Sequence, residues 1–268
     1  MAHTLARRVG EACRLGGCGT VAPVPRTPYS RPARAGLACL ALAVLAVAGC
    51  GRGPLADQAA PPSPSGASTA ASTPSGSASP GSCAYTPAGK PAKPVDPPPT
   101  TDVPTTGEVT FTLAMTGGPV KITMDRSKTP CTVNSFASLA TQGYFDGTRC
   151  HRLADSGIFV LQCGDPTGSG TGGPGYTFAD ELNGKESYKR GVVAMANAGP
   201  GTNGSQFFLV WDDSTSLDQQ PNYTIFGKMD PASRDVVAQM AGEGQDGSNP
   251  DGSGRPNNPS EITKVTQG

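Results

Sequence analysis

The tract between Gly51 and Gly107 places the strongest limit on what this chain can fold into. It consists mainly of Pro, Ser, Ala, Thr and Gly and has almost no large apolar side chains. Such a segment cannot bury enough apolar surface to offset the conformational entropy that is lost on ordering. We therefore expect residues 50–107 to be a disordered linker and residues 108–268 to form the folded domain.

Residues 1–49 have the features of an export signal. The apolar stretch 35–49 follows Arg31 and Arg34 and is shorter than a membrane span. It runs into Val-Ala-Gly-Cys, which resembles the bacterial lipobox, so we expect Cys50 to carry a lipid that anchors the chain to the outer face of the bacterial cell membrane. A plain secretory signal is the alternative. Because residues 1–30 lack a signal-like pattern, we expect the true translation start to lie later, at Val21 or Val24.

The charge of the chain is unevenly distributed. The whole chain has 21 basic and 21 acidic residues, but residues 1–49 contain six Arg and one Glu, which leaves the remainder with an acidic excess of five. Nucleic-acid binding needs clustered Lys and Arg, so no nucleic-acid partner is expected. No 20-residue apolar run is present, which excludes a polytopic membrane protein.

The pattern becomes globular at Glu108. Apolar and polar residues alternate over 109–115 and again over 120–124, on either side of a Gly-Gly-Pro break, which predicts a β-hairpin. Thr129 and Pro130 predict the start of a helix that Gly143 ends, and a second helix is predicted around 233–241. Short strand-like runs follow the first helix at 191–195, 206–211, 223–229 and 262–265. Many short strands with two helices indicate a single antiparallel barrel.

Several common kinds of site are not supported by the sequence. No Gly-x-Ser-x-Gly nucleophile motif accompanies His151. Residues 168–173 match a dinucleotide-binding glycine pattern, but Pro174 follows where a helix should begin. The cysteines at 83, 131, 150 and 163 lack the close pairs of a zinc site, so we expect no metal. We predict a disulfide between Cys131 and Cys150, with free buried thiols as the alternative.

Five motifs in order resemble those of cyclophilins. They are His151-Arg152, the run Phe159 to Gln162 with Gly164-Asp165, the glycine loop 168–173, Met-Ala-Asn-Ala-Gly-Pro at 195–200, and Thr-Asn-Gly-Ser-Gln-Phe-Phe at 202–208. The resemblance implies an eight-stranded antiparallel β-barrel with two capping helices. It also implies peptidyl-prolyl cis-trans isomerase activity without a cofactor, on proline-containing polypeptides.

The resemblance also assigns roles to residues. Arg152 would donate to the prolyl nitrogen, and Gln162 would hold the guanidinium and donate to a substrate carbonyl. The proline ring would enter an apolar pocket, and the flanking chain would lie along a groove in which Asn197 pairs through its backbone. The pocket residues are Phe159, Val160, Phe208, Leu217 and Tyr223, and the groove residues are Ala196, Asn197, Ala198 and Gln206. The alternatives are barrel core for Phe159 and Phe208, a strand-edge polar residue for Gln162, and an ion pair between Arg152 and Asp155.

Two departures from the family pattern are visible. The segment between Arg152 and Phe159 is two residues longer than the commoner family loop, and Ser216 stands where the tryptophan that binds cyclosporin is found. We therefore expect weak cyclosporin binding. The favoured function is a monomeric, lipid-anchored isomerase that assists the folding of exported proteins. The alternative is a cyclophilin-like module that binds proline-containing segments with little turnover.

Overall fold

The computed structural model of this protein describes residues 81–268. The strands are β1 (Thr86–Pro87), β2 (Glu108–Met115), β3 (Gly118–Asp125), β4 (Thr148–Arg149), β5 (Arg152–Ser156), β6 (Ile158–Cys163), β7 (Tyr176–Thr177), β8 (Val192–Met195), β9 (Phe207–Val210), β10 (Ile225–Met229) and β11 (Glu261–Gln267). The helices are α1 (Pro130–Thr141) and α2 (Pro231–Ala241), with a 3₁₀ helix at Leu217–Gln219. None of the helices in residues 81–268 is long and apolar enough to cross a membrane.

Nine strands form one antiparallel sheet in the order β4-β11-β2-β3-β10-β8-β9-β6-β5. Its two edge strands, β4 and β5, are separated along the chain only by Cys150 and His151. One continuous stretch of chain therefore pairs with β11 on one side and with β6 on the other, which closes the sheet into a barrel. If β4 and β5 are counted as one interrupted strand, the barrel has the eight strands that were predicted.

The alternating residues of the first hairpin define the interior of the barrel. β2 and β3 pair along their whole lengths, and Phe111, Leu113 and Ile122 are buried in the main core. Phe136 of α1 and Val237 of α2 belong to the same core. Burial of each such side chain contributes about 1.5–3 kcal/mol. The two predicted helices and the later predicted strands β8 to β11 are confirmed.

The start of α1 is stabilised by a residue from outside the helix. Thr129 is the N-cap residue and Pro130 follows it, as predicted, but the Thr129 side chain makes no capping hydrogen bond. Instead, the Glu181 carboxylate accepts the backbone N–H groups of Cys131 (3.0 Å) and Thr132 (2.8 Å). A carboxylate at this position pairs N–H groups that the helix leaves unsatisfied and interacts favourably with the helix dipole.

The folded domain begins before residue 108. The segment 81–107, here called the N-terminal arm, is ordered against the barrel: β1 pairs with β7, and the Tyr85 ring lies 5.4 Å from Tyr176 and 5.6 Å from Phe178 between centroids. The Tyr85 hydroxyl also donates to the Cys131 carbonyl oxygen at 2.8 Å. The prediction of a disordered linker is therefore wrong for residues 81–107, because the half-buried Tyr85 and backbone pairing hold a proline-rich segment in place. The predicted signal, Cys50 and residues 51–80 lie outside the described residues.

The cysteines form two disulfides, Cys83–Cys131 and Cys150–Cys163. The predicted Cys131–Cys150 bridge is wrong. Four cysteines allow three pairings, and the sequence alone does not select among them. The first bridge ties the N-terminal arm to α1. The second joins the residues between β4 and β5 to the end of β6, which the antiparallel register brings side by side.

Candidate active site

Arg152 begins β5 and lies opposite Gln162 of β6 in the strand register. Its guanidinium donates through Nη1 to Gln162 Oε1 (3.3 Å), through Nε to Ser253 Oγ (2.8 Å) and through Nη2 to Asp251 Oδ2 (2.8 Å). The ion pair is made with Asp251 and not with Asp155. A guanidinium has five N–H donors, so two of them have no partner among residues 81–268.

The loop before β11 supplies two of these partners. Leu153 of β5 and Gly254 exchange backbone hydrogen bonds of 2.7 and 3.1 Å, which dock the loop beside the start of β5. Hydrogen bonds from the Ser253 hydroxyl and backbone N–H, together with the pairing to Arg152, hold the pKa of the Asp251 carboxyl well below its usual range. Asp251 therefore stays ionised and fixes the direction of the guanidinium.

Gln162 continues the polar network towards the glycine loop. Its Nε2 donates to Gln206 Oε1 (2.9 Å), and Gln206 Nε2 donates to the carbonyl oxygens of Gly170 (2.9 Å) and Gly172 (3.0 Å). The loop wraps around the buried Asp165 carboxylate, which accepts N–H groups from both glycines. Burial acts to raise the pKa of the Asp165 carboxyl, but the hydrogen bonds around it lower that pKa overall. A Cβ at Gly172 would collide with this carboxylate, so the loop requires glycine there and serves to hold Gln206.

A second apolar cluster, here called the groove cluster, lies on the opposite face of β5, β6, β8 and β9 from the main core. Its buried members are Ala154, Val160, Tyr188, Val192, Ala194, Phe208 and Val210, and Ile158, Ala196, Leu217, Tyr223 and Ile225 pack against them. The Phe208 and Tyr223 rings meet edge to face with centroids 5.5 Å apart. Because Gln162 is paired with Phe208 in the register, the polar network runs along the margin of this cluster. The structure thus brings together every predicted pocket residue except one.

Phe159 is the exception. Alternation along β6 puts Val160 and Gln162 on the groove face and Phe159 on the other, and the Phe159 ring packs edge-on against Trp211 at a centroid distance of 5.1 Å. Ile158 packs against the groove cluster instead. The assignment of Phe159 to the proline pocket is therefore not what the structure has. The two extra residues before Phe159 extend the β5–β6 pairing to Ser156 and Ile158, so the residue next to the turn is an isoleucine.

The side chain of Asn197 is fully engaged within the protein. Its Nδ2 donates to Asp180 Oδ1 (3.2 Å) and to the Asn222 carbonyl oxygen (2.9 Å). The neighbouring Ala196 N–H donates to the Gln206 carbonyl oxygen at 2.9 Å. The backbone N–H and carbonyl of Asn197 have no hydrogen-bond partner within residues 81–268. A bound polypeptide could therefore pair with the backbone here but not with the side-chain amide.

Three contributors to the site were missed by the sequence analysis: Tyr188, Asp251 and Ser253. Tyr188 is a buried member of the groove cluster. Its hydroxyl donates to the Tyr223 carbonyl oxygen (2.8 Å) and accepts a hydrogen bond from the Tyr223 backbone N–H (3.0 Å). Burial raises the pKa of Tyr188 to about 12, which keeps this hydroxyl protonated. No local signal marks these residues, because each acts on a partner at least 35 residues away.

His151 precedes the guanidinium and lies next to Gln206 of the polar network, without a hydrogen bond of normal geometry to it. Both of its ring nitrogens are buried without a partner among residues 81–268. Burial lowers the pKa of the His151 imidazole below its ordinary value of 6.5, although the nearby Asp165 carboxylate acts to raise it. The folded state therefore favours the neutral ring.

This burial makes stability depend on pH. Well above pH 6.5 His151 is neutral in both the folded and the unfolded chain, so its burial does not change the free energy of unfolding with pH. As the pH falls below 6.5, the unfolded chain binds the proton first. The free energy of unfolding therefore decreases until the pH passes the lower pKa of the folded state. We expect urea unfolding to show this decline as the pH falls below 6.5, before ordinary carboxyls begin to titrate. His151→Gln should flatten the decline, because it removes the imidazole that the unfolded chain protonates first. An equal slope in the His151 variant would contradict the assignment.

Comparison with known proteins places these features in a family. Residues 109–267 match the family described as cyclophilin type peptidyl-prolyl cis-trans isomerase/CLD. Over 185 residues the chain is 46% identical to the probable peptidyl-prolyl cis-trans isomerase B of Mycobacterium tuberculosis, covering 62% of this chain and 59% of that protein. It is 38% identical over 174 residues to peptidyl-prolyl cis-trans isomerase A of the same organism, covering 59% of this chain and 91% of the relative. The chain thus spans about three fifths of the length of the isomerase B relative.

Solved structures give the same result for the fold. A crystal structure of a Cryptosporidium parvum cyclophilin type peptidyl-prolyl cis-trans isomerase has a TM-score of 0.53 and 30% identity, and the match covers 60% of this chain and 98% of that one. The same protein crystallised in the presence of the dipeptide ala-pro matches with a TM-score of 0.51.

Proposed function

Because this chain belongs to the cyclophilin-type peptidyl-prolyl cis-trans isomerase family, we propose that it accelerates rotation about Xaa-Pro peptide bonds. The observation that carries the proposal is the cross-strand pair of Arg152 and Gln162 beside the groove cluster at Phe208. It combines an always-charged donor with an apolar surface that suits a proline ring. We further propose that the protein acts as a monomer.

The reaction needs no nucleophile and no cofactor. The barrier of about 18–20 kcal/mol comes from amide resonance, which is lost when the bond twists and the prolyl nitrogen becomes able to accept a hydrogen bond. A donor aimed at that nitrogen stabilises the twisted state more than either planar state, which is the requirement for catalysis. The two unpartnered N–H donors of Arg152 meet this requirement, while Asp251, Ser253 and Gln162 restrict how the guanidinium can turn.

The proposal is tested by exchange NMR on an Ala-Pro peptide with the full chain. We expect cis-trans exchange, which takes tens to hundreds of seconds uncatalysed, to become fast enough to give exchange cross-peaks between the two isomers at substoichiometric protein. Peptide-induced shifts near Phe208 without faster exchange would contradict the enzyme and would support the alternative, a binding module for proline-containing segments.

The position of Ile158 gives a prediction about substrate affinity. Ile158→Ala removes three carbon groups from the half-buried edge of the groove cluster. Counting one to two of them as covered by substrate, at about 0.8 kcal/mol each, we expect kcat/KM to fall about 4- to 15-fold, mostly through KM. Phe159→Ala, whose ring packs on Trp211, should change kcat/KM by less than about twofold. Peptide isomerisation kinetics check both variants. A larger loss in Phe159→Ala than in Ile158→Ala would contradict the placement of these side chains.

We also propose that the chain is exported and anchored through Cys50, where it assists the folding of exported proteins. The support is the basic flank, apolar stretch and Val-Ala-Gly-Cys in register, together with two disulfides in the folded domain, which are typical of oxidising compartments. Metabolic labelling with a fatty acid in a lipoprotein-processing bacterium should label the wild type and Cys39→Ala, but not Cys50→Ala. Labelling of the Cys50 variant would contradict the anchor.

Cyclosporin is expected to bind weakly. Ser216 is exposed and its hydroxyl donates to the Gly157 carbonyl oxygen (2.7 Å), whereas Trp211 donates its indole N–H to the Ala154 carbonyl oxygen (3.2 Å) and packs on Phe159. Neither Ser216 nor Trp211 therefore places an indole ring in the groove cluster. Since a buried tryptophan contact is commonly worth 2 kcal/mol or more, we expect inhibition at least about tenfold weaker than for a cyclophilin with the tryptophan. A tight inhibition curve would contradict this.

A further inference from the structure

A cavity of about 730 Å³ continues the groove beyond Gln162 and Gln206. Residues Ala196 to Ala198 line one side of it, and the glycine-rich segment 170–175 lines another. A further wall comes from the N-terminal arm, through Ala88, Gly89, Lys90 and Ala92. These four residues precede the region 109–267 that matches the family, so this wall lies outside the matched region.

The arm is held firmly enough to form a wall. The Ala88 N–H donates to the Gly175 carbonyl oxygen and the Ala92 N–H to the Gly173 carbonyl oxygen, both at 2.8 Å. On one side of this segment the Cys83–Cys131 disulfide links the arm to α1. On the other, Lys93 Nζ donates to the carbonyl oxygens that follow α1. Residues 88–92 are therefore fixed at both ends.

The charge of the cavity indicates what it would bind. Among residues 81–268, Lys90 is the one charged residue that lines it, and the other lining residues are glycine, alanine, proline, threonine, serine and uncharged amides, with Tyr176. Lys90 is exposed and forms no ion pair or side-chain hydrogen bond with any described residue. An ammonium without a partner beside neutral walls favours an anionic side chain.

We propose that residues 88–92 and this cavity form a substrate subsite that prefers an acidic side chain upstream of the Xaa-Pro bond, with Lys90 as the recognising cation. The inference rests on the proposed function and on the pairing of the substrate residue before proline with the backbone of Asn197, whose N–H and carbonyl have no partner within residues 81–268. An extended chain advances about 3.3 Å per residue, so the residues two and three positions before proline continue from Asn197 into the cavity. Lys90 sets specificity and takes no part in the rotation step.

The test compares peptides that differ only at the positions two and three before proline, where both residues are Glu, Ala or Lys. With the full chain at low ionic strength we expect kcat/KM to be about 3- to 5-fold higher for the Glu peptide than for the Lys peptide, the range of a partly exposed ion pair. The preference should shrink in 1 M salt. Lys90→Glu should invert it, and Lys121→Glu, the same charge change on β3 outside the cavity, should leave it unchanged.

The Ala peptide separates the two proposals. The control variant Lys121→Glu is expected to turn over the Ala peptide as fast as wild type, and absence of turnover with every peptide would overturn the isomerase function itself. In that case NMR titration with the same peptides gives the preference as an affinity ratio. An unchanged ratio of Glu to Lys peptide in Lys90→Glu, by either measurement, would overturn the subsite.

Discussion

Replacing Arg152 by alanine is expected to lower kcat/KM for an Ala-Pro peptide by about 10²–10³-fold, the usual cost of removing one preorganised donor from a transition state. The guanidinium is held by Gln162, Ser253 and Asp251, so its loss removes a fixed donor that no neighbouring group replaces. KM should change little, because the apolar contacts of the groove cluster remain. Exchange NMR with wild type and variant at equal concentration measures the effect.

Arg149→Ala is the matched control for this variant. Arg149 lies only three residues away on β4, is largely exposed, and forms an ion pair with Glu261 at 3.5 Å. The Arg149→Ala substitution removes the same charge from the same region as Arg152→Ala. We expect its isomerisation rate to stay within about twofold of wild type, since exposed ion pairs contribute little. An Arg152→Ala variant that keeps its near-ultraviolet spectrum and retains more than about a tenth of the activity would contradict the assigned role.

Removing the Cys83–Cys131 disulfide is expected to lower the free energy of unfolding by about 4 kcal/mol in the chain-entropy treatment. The bridge closes a loop with a sequence separation of 48, and without it the unfolded chain gains the corresponding freedom. The double variant Cys83→Ser/Cys131→Ser avoids a leftover thiol. It should also loosen the N-terminal arm, whose Tyr85 then relies on its ring contacts and on the hydrogen bonds that its hydroxyl makes with the Cys131 carbonyl oxygen and Asn134 Nδ2.

The second disulfide supplies the comparison. Cys150→Ser/Cys163→Ser opens a loop with a separation of only 13, for which the same treatment gives about 3 kcal/mol. Urea unfolding at neutral pH measures both, and amide hydrogen exchange locates the change. We expect faster exchange in residues 81–107 for the first variant only. Unchanged stability and unchanged protection of the arm after loss of Cys83–Cys131 would show that the arm is held without the bridge.

The local elements of this fold could be predicted from the sequence. The hairpin of β2 and β3 follows from strict alternation, and α1 and α2 follow from helical spacing after a proline. These signals depend on neighbours within a few residues, which determine which face of a strand or helix is apolar. The motifs around Arg152, Gln162 and Phe208 likewise predicted the family, which the match over residues 109–267 confirms, and they supplied the candidate site residues.

The register of the barrel decided what the sequence left open. It placed Ile158 on the groove face and Phe159 against Trp211, since one step along a strand reverses the direction of a side chain. Contacts between distant segments decided the rest: Glu181 at the start of α1, Asp251 beside Arg152, and Cys83 with Cys131. The sequence by itself determined the elements and the family, while the partners of each group were set only by closure of the barrel. The physical reason is that alternation and helical spacing act between near neighbours, whereas these pairings join residues about 50 to 100 positions apart.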